Sequence, residues 1–363
     1  MTLEKSQIET ALRGYRDPYL GVSLFDAGMV KSIATGVGTV EIEIEAGFPL
    51  LRYEATLRQA IGEQLAPVLE GNTLNLVMSS KIVAHAVQKG VKTLPGVKNT
   101  IAVASGKGGV GKSTTAVNLA LALRDEGATV GLLDADIYGP SLPRMLGAFG
   151  RPDSRDGKSM EPKETFGIQS ISIGHLIEED TPMIWRGPMA TSALEQLLRE
   201  TNWREVDYLI IDLPPGTGDI QLTLCQKVPL SGALIVTTPQ DIALLDARKG
   251  LKMFEKVDVP VLGIIENMSV HVCTQCGHAE HIFGAGGGAS MASQYDVDLL
   301  GSLPLDIRIR EGADVGQPTV AMDPEALSTT AYRDIARRVT TKLALRARDY
   351  SGRFPNIVIQ KNT

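Results

Sequence analysis

Nine consecutive residues in the first third of the chain have the spacing of a phosphate-binding loop. They read GKGGVGKST and are Gly106, Lys107, Gly108, Gly109, Val110, Gly111, Lys112, Ser113 and Thr114. An apolar run precedes them and a helical pattern follows, which is the context in which G-x-x-x-x-G-K-[ST] binds nucleotide phosphates. Backbone N–H groups of such a loop point into one concavity, at the positive end of the following helix. The pattern predicts ATP bound with Mg²⁺, with Lys112 on the β- and γ-phosphates and the Ser113 hydroxyl on the metal.

Two further apolar runs end in aspartates, and carboxylates at strand ends are typical metal and water ligands of a phosphate-binding site. Asp134 and Asp136 follow one run, and Asp212 ends another, which has the form of a Walker B strand. Asp212 is predicted to hold Mg²⁺ through water. A single aspartate at a strand end can instead cap a helix, and this alternative stays open, above all for Asp134.

Cys273 and Cys276 form a C-x-x-C pair in a polar loop, His271 to Gly288. Two thiolates at this spacing hold one edge of a metal or cluster, whereas zinc and iron–sulfur sites usually need four ligands. Three interpretations compete: a cluster bridged between two chains, a zinc site completed by His278 and His281, and a redox dithiol. The residues alone favour zinc.

Composition and charge exclude several classes of protein. Of the 363 residues, 43% are apolar and 21% charged, which is typical of a globular chain with ample material for a core. The net charge of −6 argues against a nucleic-acid partner. No apolar run is long enough to span a membrane, and the N-terminus lacks a leader pattern, so we expect a cytoplasmic protein without a membrane partner. With three cysteines, we expect reduced thiols, and Cys225, among leucines, is predicted to be buried in the core.

The elements that must position these residues suggest an α/β fold with a mostly parallel sheet and helices on both faces. Seven near-continuous Val/Ile/Leu runs are of the kind seen in buried parallel strands. They are Ile101–Ala104, Val130–Asp134, Ser170–Ile173, Tyr208–Asp212, Ala233–Thr237, Val261–Ile265 and Leu299–Leu303. A terminal helix, Ser328 to Arg348, is predicted to dock on this core. The unusual residues follow the strands, as expected for a site at their carboxyl ends.

The first 88 residues have a different pattern, that of a small α+β domain of αββαβ order. Thr39–Glu45 alternates apolar and acidic residues, as a half-buried strand does, and Arg52–Leu69 has helical spacing. Residues 89–99 are rich in Gly, Pro and Lys and are predicted to be a linker. Residues 100–363 then form the nucleotide-binding domain.

The second lysine of the loop, Lys107, makes it resemble the deviant P-loop class of ParA, MinD and the nitrogenase iron protein, with the motif K-G-G-x-G-K-[ST]. The resemblance implies a face-to-face homodimer in which Lys107 reaches the partner's nucleotide. There it would supply positive charge, as an arginine finger does. The resemblance also implies that Asp136 orients the attacking water, that Asp134 lies near the metal and that Asn267 pairs with adenine. An ordinary turn residue is the alternative for Asn267.

Longer segments resemble the Mrp (ApbC/Nbp) family of iron–sulfur cluster carrier ATPases over about Lys98 to Pro318. They are MIWRGPMATSALEQLL (Met183–Leu198), DLPPGTGDIQLTL (Asp212–Leu224), TTPQDIALLDA (Thr237–Ala247), and ENMS followed by C-x-x-C and IFGAGGG. The resemblance implies that Cys273 and Cys276 share a [4Fe–4S] cluster with the same pair of a partner chain. It reverses the preference for zinc, and it implies a homodimer that gives its cluster to apo-proteins.

The N-terminal domain resembles the small domain fused to bacterial members of that family, which also occurs alone in cluster-assembly proteins. Those proteins often carry a cysteine before their second helix, and the corresponding stretch here, Ala46–Arg52, has none. The domain is therefore predicted to dock an acceptor or scaffold protein. Two alternatives to cluster carriage are a ParA/MinD-like positioning ATPase and a zinc-bound regulatory ATPase.

Overall fold

The computed structural model describes residues 3–176 and 187–346, and the following elements lie in these ranges. The strands are β1 (Val30–Thr35), β2 (Thr39–Ala46), β3 (Thr73–Ser80), β4 (Val97–Ala104), β5 (Val130–Asp134), β6 (Lys163–Thr165), β7 (Ile168–Ser172), β8 (Val206–Asp212), β9 (Gly232–Thr237), β10 (Val261–Glu266), β11 (His271–Val272), β12 (Ala279–Glu280) and β13 (Leu299–Ser302). The helices are α1 (Lys5–Gly14), α2 (Glu54–Leu69), α3 (Lys112–Asp125), α4 (Leu142–Met145), α5 (Gly187–Glu200), α6 (Asp219–Lys227), α7 (Asp241–Lys256), α8 (Gly287–Tyr295), α9 (Ile307–Asp314), α10 (Thr319–Met322) and α11 (Leu327–Ala344).

An eight-stranded sheet of order β13-β10-β9-β4-β8-β5-β7-β6 organises the larger domain. Neighbouring strands are parallel up to β7, and β6 pairs antiparallel at the edge. Helices cover both faces because the apolar strands are buried on both sides. Ile101 and Val103 of β4 pack into the core that contains α3 and α11, whereas Ala102 and Ala104 pack into the core that contains α5 and α6. The predicted α/β fold is confirmed.

Several strand boundaries differ from the prediction. Strand β4 begins at Val97, so the last three residues of the predicted linker belong to it. Ser172 ends β7 because its hydroxyl accepts a hydrogen bond from Gly174 N and opens a 3₁₀ turn. The three-residue strand β6 is too short to produce a periodic pattern. Before the linker, Ile82 is buried in the core of the larger domain, and the boundary between the domains stays a prediction.

The N-terminal domain has the predicted αββαβ order. Its sheet follows the order β1-β2-β3, with β1 and β2 antiparallel and β2 and β3 parallel. Val40, Ile42 and Ile44 are fully buried with apolar residues of α1 and α2, whereas Glu41 and Glu43 point outward. The alternation in sequence therefore corresponds to the two faces of strand β2.

The N-terminal domain contacts the far end of the helix that follows the phosphate loop. Leu51 N donates to the carbonyl of Glu126, the residue directly after α3 (3.0 Å). Arg337 of α11 donates to the Glu126 carboxylate (2.9 Å), with its guanidinium 5.2 Å from the ring centre of Tyr53. Burial raises the pKa of Glu126, against the lowering effect of Arg337. Helix α3 thus connects the phosphate loop to the N-terminal domain.

Helix α11 confirms that the terminal helix docks on the core. Ile335, Val339 and Leu343 are fully buried in the core shared with α3. The helix ends at Ala344, and the last two residues of its predicted range lie outside the described residues. Within the described ranges, none of the helices combines the length and the apolar character required to cross a membrane.

Candidate functional site

The phosphate loop joins β4 to α3, and two of its glycines are required by close contacts. A Cβ on Gly106 would lie 2.1 Å from the backbone carbon of Asp246 in α7. Gly111 has φ of +82°, a left-handed value that favours glycine, and a Cβ there would lie 2.2 Å from Nδ2 of Asn267. The loop forms one wall of a pocket of about 270 Å³. Because the first N–H groups of α3 have no acceptor within the helix, they are available to an anion in this pocket.

Alanine at position 106 is expected to disturb both the fold and nucleotide binding. The atoms that a new Cβ would meet are backbone atoms of α7, so the loop or the helix must move. We expect the Gly106→Ala variant to bind ATP at least about tenfold more weakly and to lose about 2 kcal/mol of unfolding free energy. Isothermal titration and urea denaturation measure the two effects. Gly250→Ala in the same helix, where the nearest atom lies 4.0 Å from the added Cβ, is the control. Equal behaviour of the two variants would contradict the close-approach argument.

Three of the other predicted site residues lie around the ammonium group of Lys112. Its Nζ lies 2.5 Å from Oδ1 of Asp212, 3.3 Å from the hydroxyl of Ser113 and 3.7 Å from Oδ2 of Asp136. Lys112 and Asp212 are both buried. The second oxygen of Asp212 is buried without a hydrogen-bond partner among the described residues. The carboxylate of Asp212 and the hydroxyl of Ser113, which both contact Lys112, are oxygen donors of the kind that Mg²⁺ binds.

Asp134 lies behind this group and is occupied by protein donors. Its Oδ1 accepts from Asp136 N (3.1 Å), and its Oδ2 accepts from the hydroxyl of Ser172 (3.0 Å) and from the N–H groups of Ser141 (3.1 Å) and Leu142 (3.2 Å). Burial, followed by the charge of Asp212, raises the pKa of Asp134 to about 7. The carboxylate therefore shapes the turn that carries Asp136, and its proximity to the metal stays a prediction. Sequence reasoning missed Ser172, which lies 38 residues away along the chain.

His175 contacts Ser172, the hydroxyl partner of Asp134, and its titration predicts how the stability of the protein depends on pH. His175 Nδ1 accepts from Ser172 N (3.1 Å), and burial lowers the pKa of His175 from 6.5 to about 4. The unfolded chain therefore binds this proton more readily, and the contribution of His175 to stability is complete above pH 6.5 and lost as the pH falls toward 4. We expect a loss of up to about 3 kcal/mol of unfolding free energy. His175→Gln removes the titrating group, so urea denaturation at pH 7 and pH 4.5 should show a smaller loss for the variant. An identical loss would contradict this assignment.

Asn267 lies against the phosphate loop. Its Nδ2 donates to the carbonyl oxygen of Val110 (2.9 Å), and its own N–H donates to Thr237 O (2.7 Å). The side chain therefore supports the loop from the side of β10, and its predicted contact with adenine stays a prediction. Lys107 lines the pocket, and no acidic group forms an ion pair with it in the described parts of the chain. Its ammonium group is thus available to a ligand beyond its own loop.

Cys273 and Cys276 lie on the turn of a small hairpin formed by β11 and β12. Cys273 N donates to His278 O and Gly277 N donates to Cys273 O, both at 2.9 Å. Hydrogen bonds from the N–H groups of Cys276 and Gln275 lower the pKa of the Cys273 thiol. Both cysteines lie at the surface, with Cys276 the more exposed. The turn thus favours the Cys273 thiolate and presents both sulfur atoms at the surface. Strands of two residues are too short to be recognised in the sequence.

The proposed zinc site within one chain is not formed. His281 is turned toward the backbone, with Nδ1 2.6 Å from Ser269 O. In residues 3–176 and 187–346, no group of three or more His, Cys, Asp or Glu side chains could hold a metal. The described residues therefore do not assemble a zinc site from the two cysteines, His278 and His281, and the zinc alternative stays a prediction. Cys225 is fully buried, as predicted, and burial raises its pKa to about 12.

Comparison with known proteins places this site in a family. A family model described as the NUBPL iron-transfer P-loop NTPase matches residues 96–340, which is more than half of the chain. The chain belongs to this family. A second model, described as an iron–sulfur cluster assembly protein, matches residues 5–74. The two matches confirm the resemblance to cluster-carrier NTPases and to the cluster-assembly domain.

Relatives of this NUBPL-type NTPase support the assignment along nearly the whole chain. The iron–sulfur cluster carrier protein of Escherichia coli K12 is 50% identical over 343 residues, which cover 93% of this chain and 92% of that protein. The iron–sulfur cluster transfer protein NUBPL of Mus musculus is 53% identical over 254 residues, or 69% of this chain and 80% of that protein.

Solved structures agree with the fold. A nucleotide-binding protein from Archaeoglobus fulgidus in complex with ADP has a TM-score of 0.55 at 36% identity and covers 64% of this chain and 90% of that one. The cell-division ATPase MinD of Pyrococcus furiosus has a TM-score of 0.50 at 24% identity and covers 66% of this chain and 98% of that one, which shows the shared fold alone.

Proposed function

We propose that this NTPase hydrolyses ATP and, as a homodimer, carries a [4Fe–4S] cluster that it transfers to apo-proteins. The observation that carries the proposal is an exposed cysteine hairpin on a chain that also forms a phosphate-binding pocket. The names of the relatives in Escherichia coli and mouse, a cluster carrier and a cluster transfer protein, support the same cargo. The hairpin and these relatives favour carriage over a positioning ATPase.

The cluster is cargo rather than a resident group, and the hairpin suits that role. Cys273 and Cys276 supply two thiolates, whereas a [4Fe–4S] cluster takes four. The same pair of a second chain supplies the other two in the simplest symmetric arrangement, a twofold dimer. A cluster held at the surface by two thiolates per chain is accessible to the thiolates of an acceptor, which can replace them one at a time.

The phosphate site supports ATP hydrolysis by positioning and charge. The ammonium group of Lys112 contacts the carboxylate of Asp212 at 2.5 Å. Phosphates that enter the pocket compete with this carboxylate for the ammonium group. Asp212 and the Ser113 hydroxyl are then free to hold Mg²⁺, which neutralises charge on the β- and γ-phosphate oxygens when bound. Asp136 lines the same pocket, and we assign to it the orientation of the attacking water molecule. Burial raises the pKa of Asp136, against the charge of Lys112, which lowers it.

Lys107 is assigned to the partner's nucleotide. A lysine that adds positive charge to the transferring phosphoryl group from across a twofold axis acts only in the dimer. This arrangement links the two sites, since the dimer that completes the nucleotide site also brings the two cysteine hairpins into one assembly. The N-terminal domain is assigned to docking an acceptor or scaffold protein, as its match to cluster-assembly proteins supports.

Cluster transfer to an apo-enzyme tests the function. Protein reconstituted anaerobically with iron and sulfide is mixed with an apo-enzyme that is active only with a [4Fe–4S] cluster. We expect the enzyme to regain activity with the loaded carrier faster than with the same amounts of free iron and sulfide. Recovery no faster than with the free ions would overturn the carrier function.

A further inference from the structure

A short connecting segment, residues 267–271, joins the phosphate loop to the cysteine hairpin. Its first residue, Asn267, donates to the carbonyl of Val110 in the phosphate loop. Its last residue, His271, opens strand β11, two positions before Cys273. Five residues therefore separate a contact with the nucleotide loop from the thiols.

The contact at Val110 involves the peptide group that joins Val110 to Gly111, a residue that lines the phosphate pocket. The Val110–Gly111 peptide bond is planar and trans, so its carbonyl and its N–H point in opposite directions. Asn267 holds the carbonyl, and the N–H of Gly111 therefore points away from the connecting segment. Gly111 lines the phosphate pocket. A phosphate that attracts this N–H therefore acts on a rigid peptide plane, whose carbonyl oxygen accepts the hydrogen bond from Asn267.

Met268 forms a strained bend directly after that contact. Its φ is 57°, in the left-handed region that non-glycine residues avoid. Such a conformation persists where the surroundings impose it, and it is common at switch regions. The preceding residue is fixed by Val110 and the following one by the hydrogen bond from Ser269 N to Leu303 O (3.0 Å). The Cε of Met268 also lies 4.0 Å from the position of a Cβ on Gly111.

The far end of the segment holds the hairpin. The carbonyl of Ser269 lies 2.6 Å from Nδ1 of His281, which follows strand β12. On the other strand, Nδ1 of His271 lies 3.1 Å from Leu305 O, and Leu305 N donates to Val270 O (2.9 Å). The orientation of both hairpin strands therefore depends on residues 269–271, while the turn that carries the cysteines lies in solvent.

We propose that Met268 is a positioning residue that transmits occupancy of the phosphate loop to the cysteine hairpin. Phosphate binding rotates the Val110–Gly111 peptide, Asn267 follows its carbonyl, and the segment turns about Met268. The exposure of Cys273 and Cys276 changes as a result. This inference rests on the proposed function only in that the hairpin holds the cluster. If it does, the bound nucleotide alters how firmly the cluster is held.

Thiol alkylation of the cluster-free protein tests this connection. The rate at which iodoacetamide modifies Cys273 and Cys276 is measured by mass spectrometry with and without saturating ATP–Mg²⁺. We expect the two rates to differ by about fivefold or more in the wild-type protein, the lower end of typical coupling between sites. Met268→Gly removes the strain and lets the segment bend freely, so the ratio should fall toward one. Asp258→Gly is the matched control, since Asp258 is another left-handed non-glycine residue (φ 55°), located after α7.

A second variant separates the backbone bend from loss of the side chain. Asparagine tolerates the left-handed conformation, so Met268→Asn is expected to keep most of the wild-type ratio. Equal alkylation rates with and without ATP in the wild-type protein overturn the inference, as does a wild-type ratio in Met268→Gly. The assay contains no iron, so its failure is distinguishable from a failure of cluster carriage, which the transfer experiment measures.

Discussion

Lys107→Ala is expected to lower the rate of ATP hydrolysis by about 10³-fold or more, the effect typical of removing a charged finger from phosphoryl transfer. ATP should still bind, because Lys112, the glycine loop and the start of α3 remain in place. Steady-state phosphate release and equilibrium binding of ATP measure the two properties. Lys92→Ala, at an exposed position before β4, is the control and should hydrolyse ATP at the wild-type rate.

Mixing two inactive variants tests whether Lys107 acts across the dimer. In a mixed dimer, the Lys107→Ala chain keeps Lys112 and receives the partner's Lys107, so one of its two sites is complete. Equal amounts of the Lys107→Ala and Lys112→Ala proteins should therefore recover about one quarter of the wild-type activity after subunit exchange. If Lys107 acts within its own chain, the mixture stays inactive. Full activity of Lys107→Ala alone would remove the role altogether.

Cys273→Ser and Cys276→Ser are each expected to abolish stable cluster binding. Each change removes two of the four thiolates of a bridged cluster, because both chains of the dimer carry it. Iron retained after anaerobic reconstitution and desalting should fall at least about tenfold, together with the broad brown absorbance. The Cys225→Ala variant is the control, since Cys225 is fully buried in the core and is not exposed to a cluster at the surface. An unchanged spectrum in Cys273→Ser would contradict the cysteine assignment.

The parts of this molecule that depend on neighbouring residues could be predicted from the sequence. The phosphate loop, the apolar strands of the parallel sheet and the alternation of β2 are local patterns, and all appear at the expected positions. The resemblance of longer segments to cluster-carrier ATPases is confirmed by the family match. The ends of the strands are predicted less accurately. Neither the cap formed by Ser172 nor the start of β4 at Val97 changes the apolar pattern of the sequence.

The arrangement around the site depends on contacts between distant residues, which a single sequence does not show. The residues near Asp134 in the sequence do not indicate that the Ser172 hydroxyl donates a hydrogen bond to its carboxylate. The contact of Asn267 with Val110 spans 157 positions, and it places the asparagine under the phosphate loop. The cysteine hairpin cannot be recognised in the sequence because its strands have two residues each. The contact of Leu51 with Glu126, which attaches the N-terminal domain to the end of α3, is likewise long-range, as is the contact of Arg337 in α11 with the same residue.

The mass of the intact loaded protein tests most directly whether one cluster is shared between two chains. Native mass spectrometry of anaerobically reconstituted protein, with iron and sulfide quantified on the same sample, gives the number of chains and clusters in each particle. We predict a dimer that contains one four-iron, four-sulfide cluster, and a monomer without a cluster. A monomer that holds a complete cluster, or a dimer that holds zinc and no sulfide, would contradict the account.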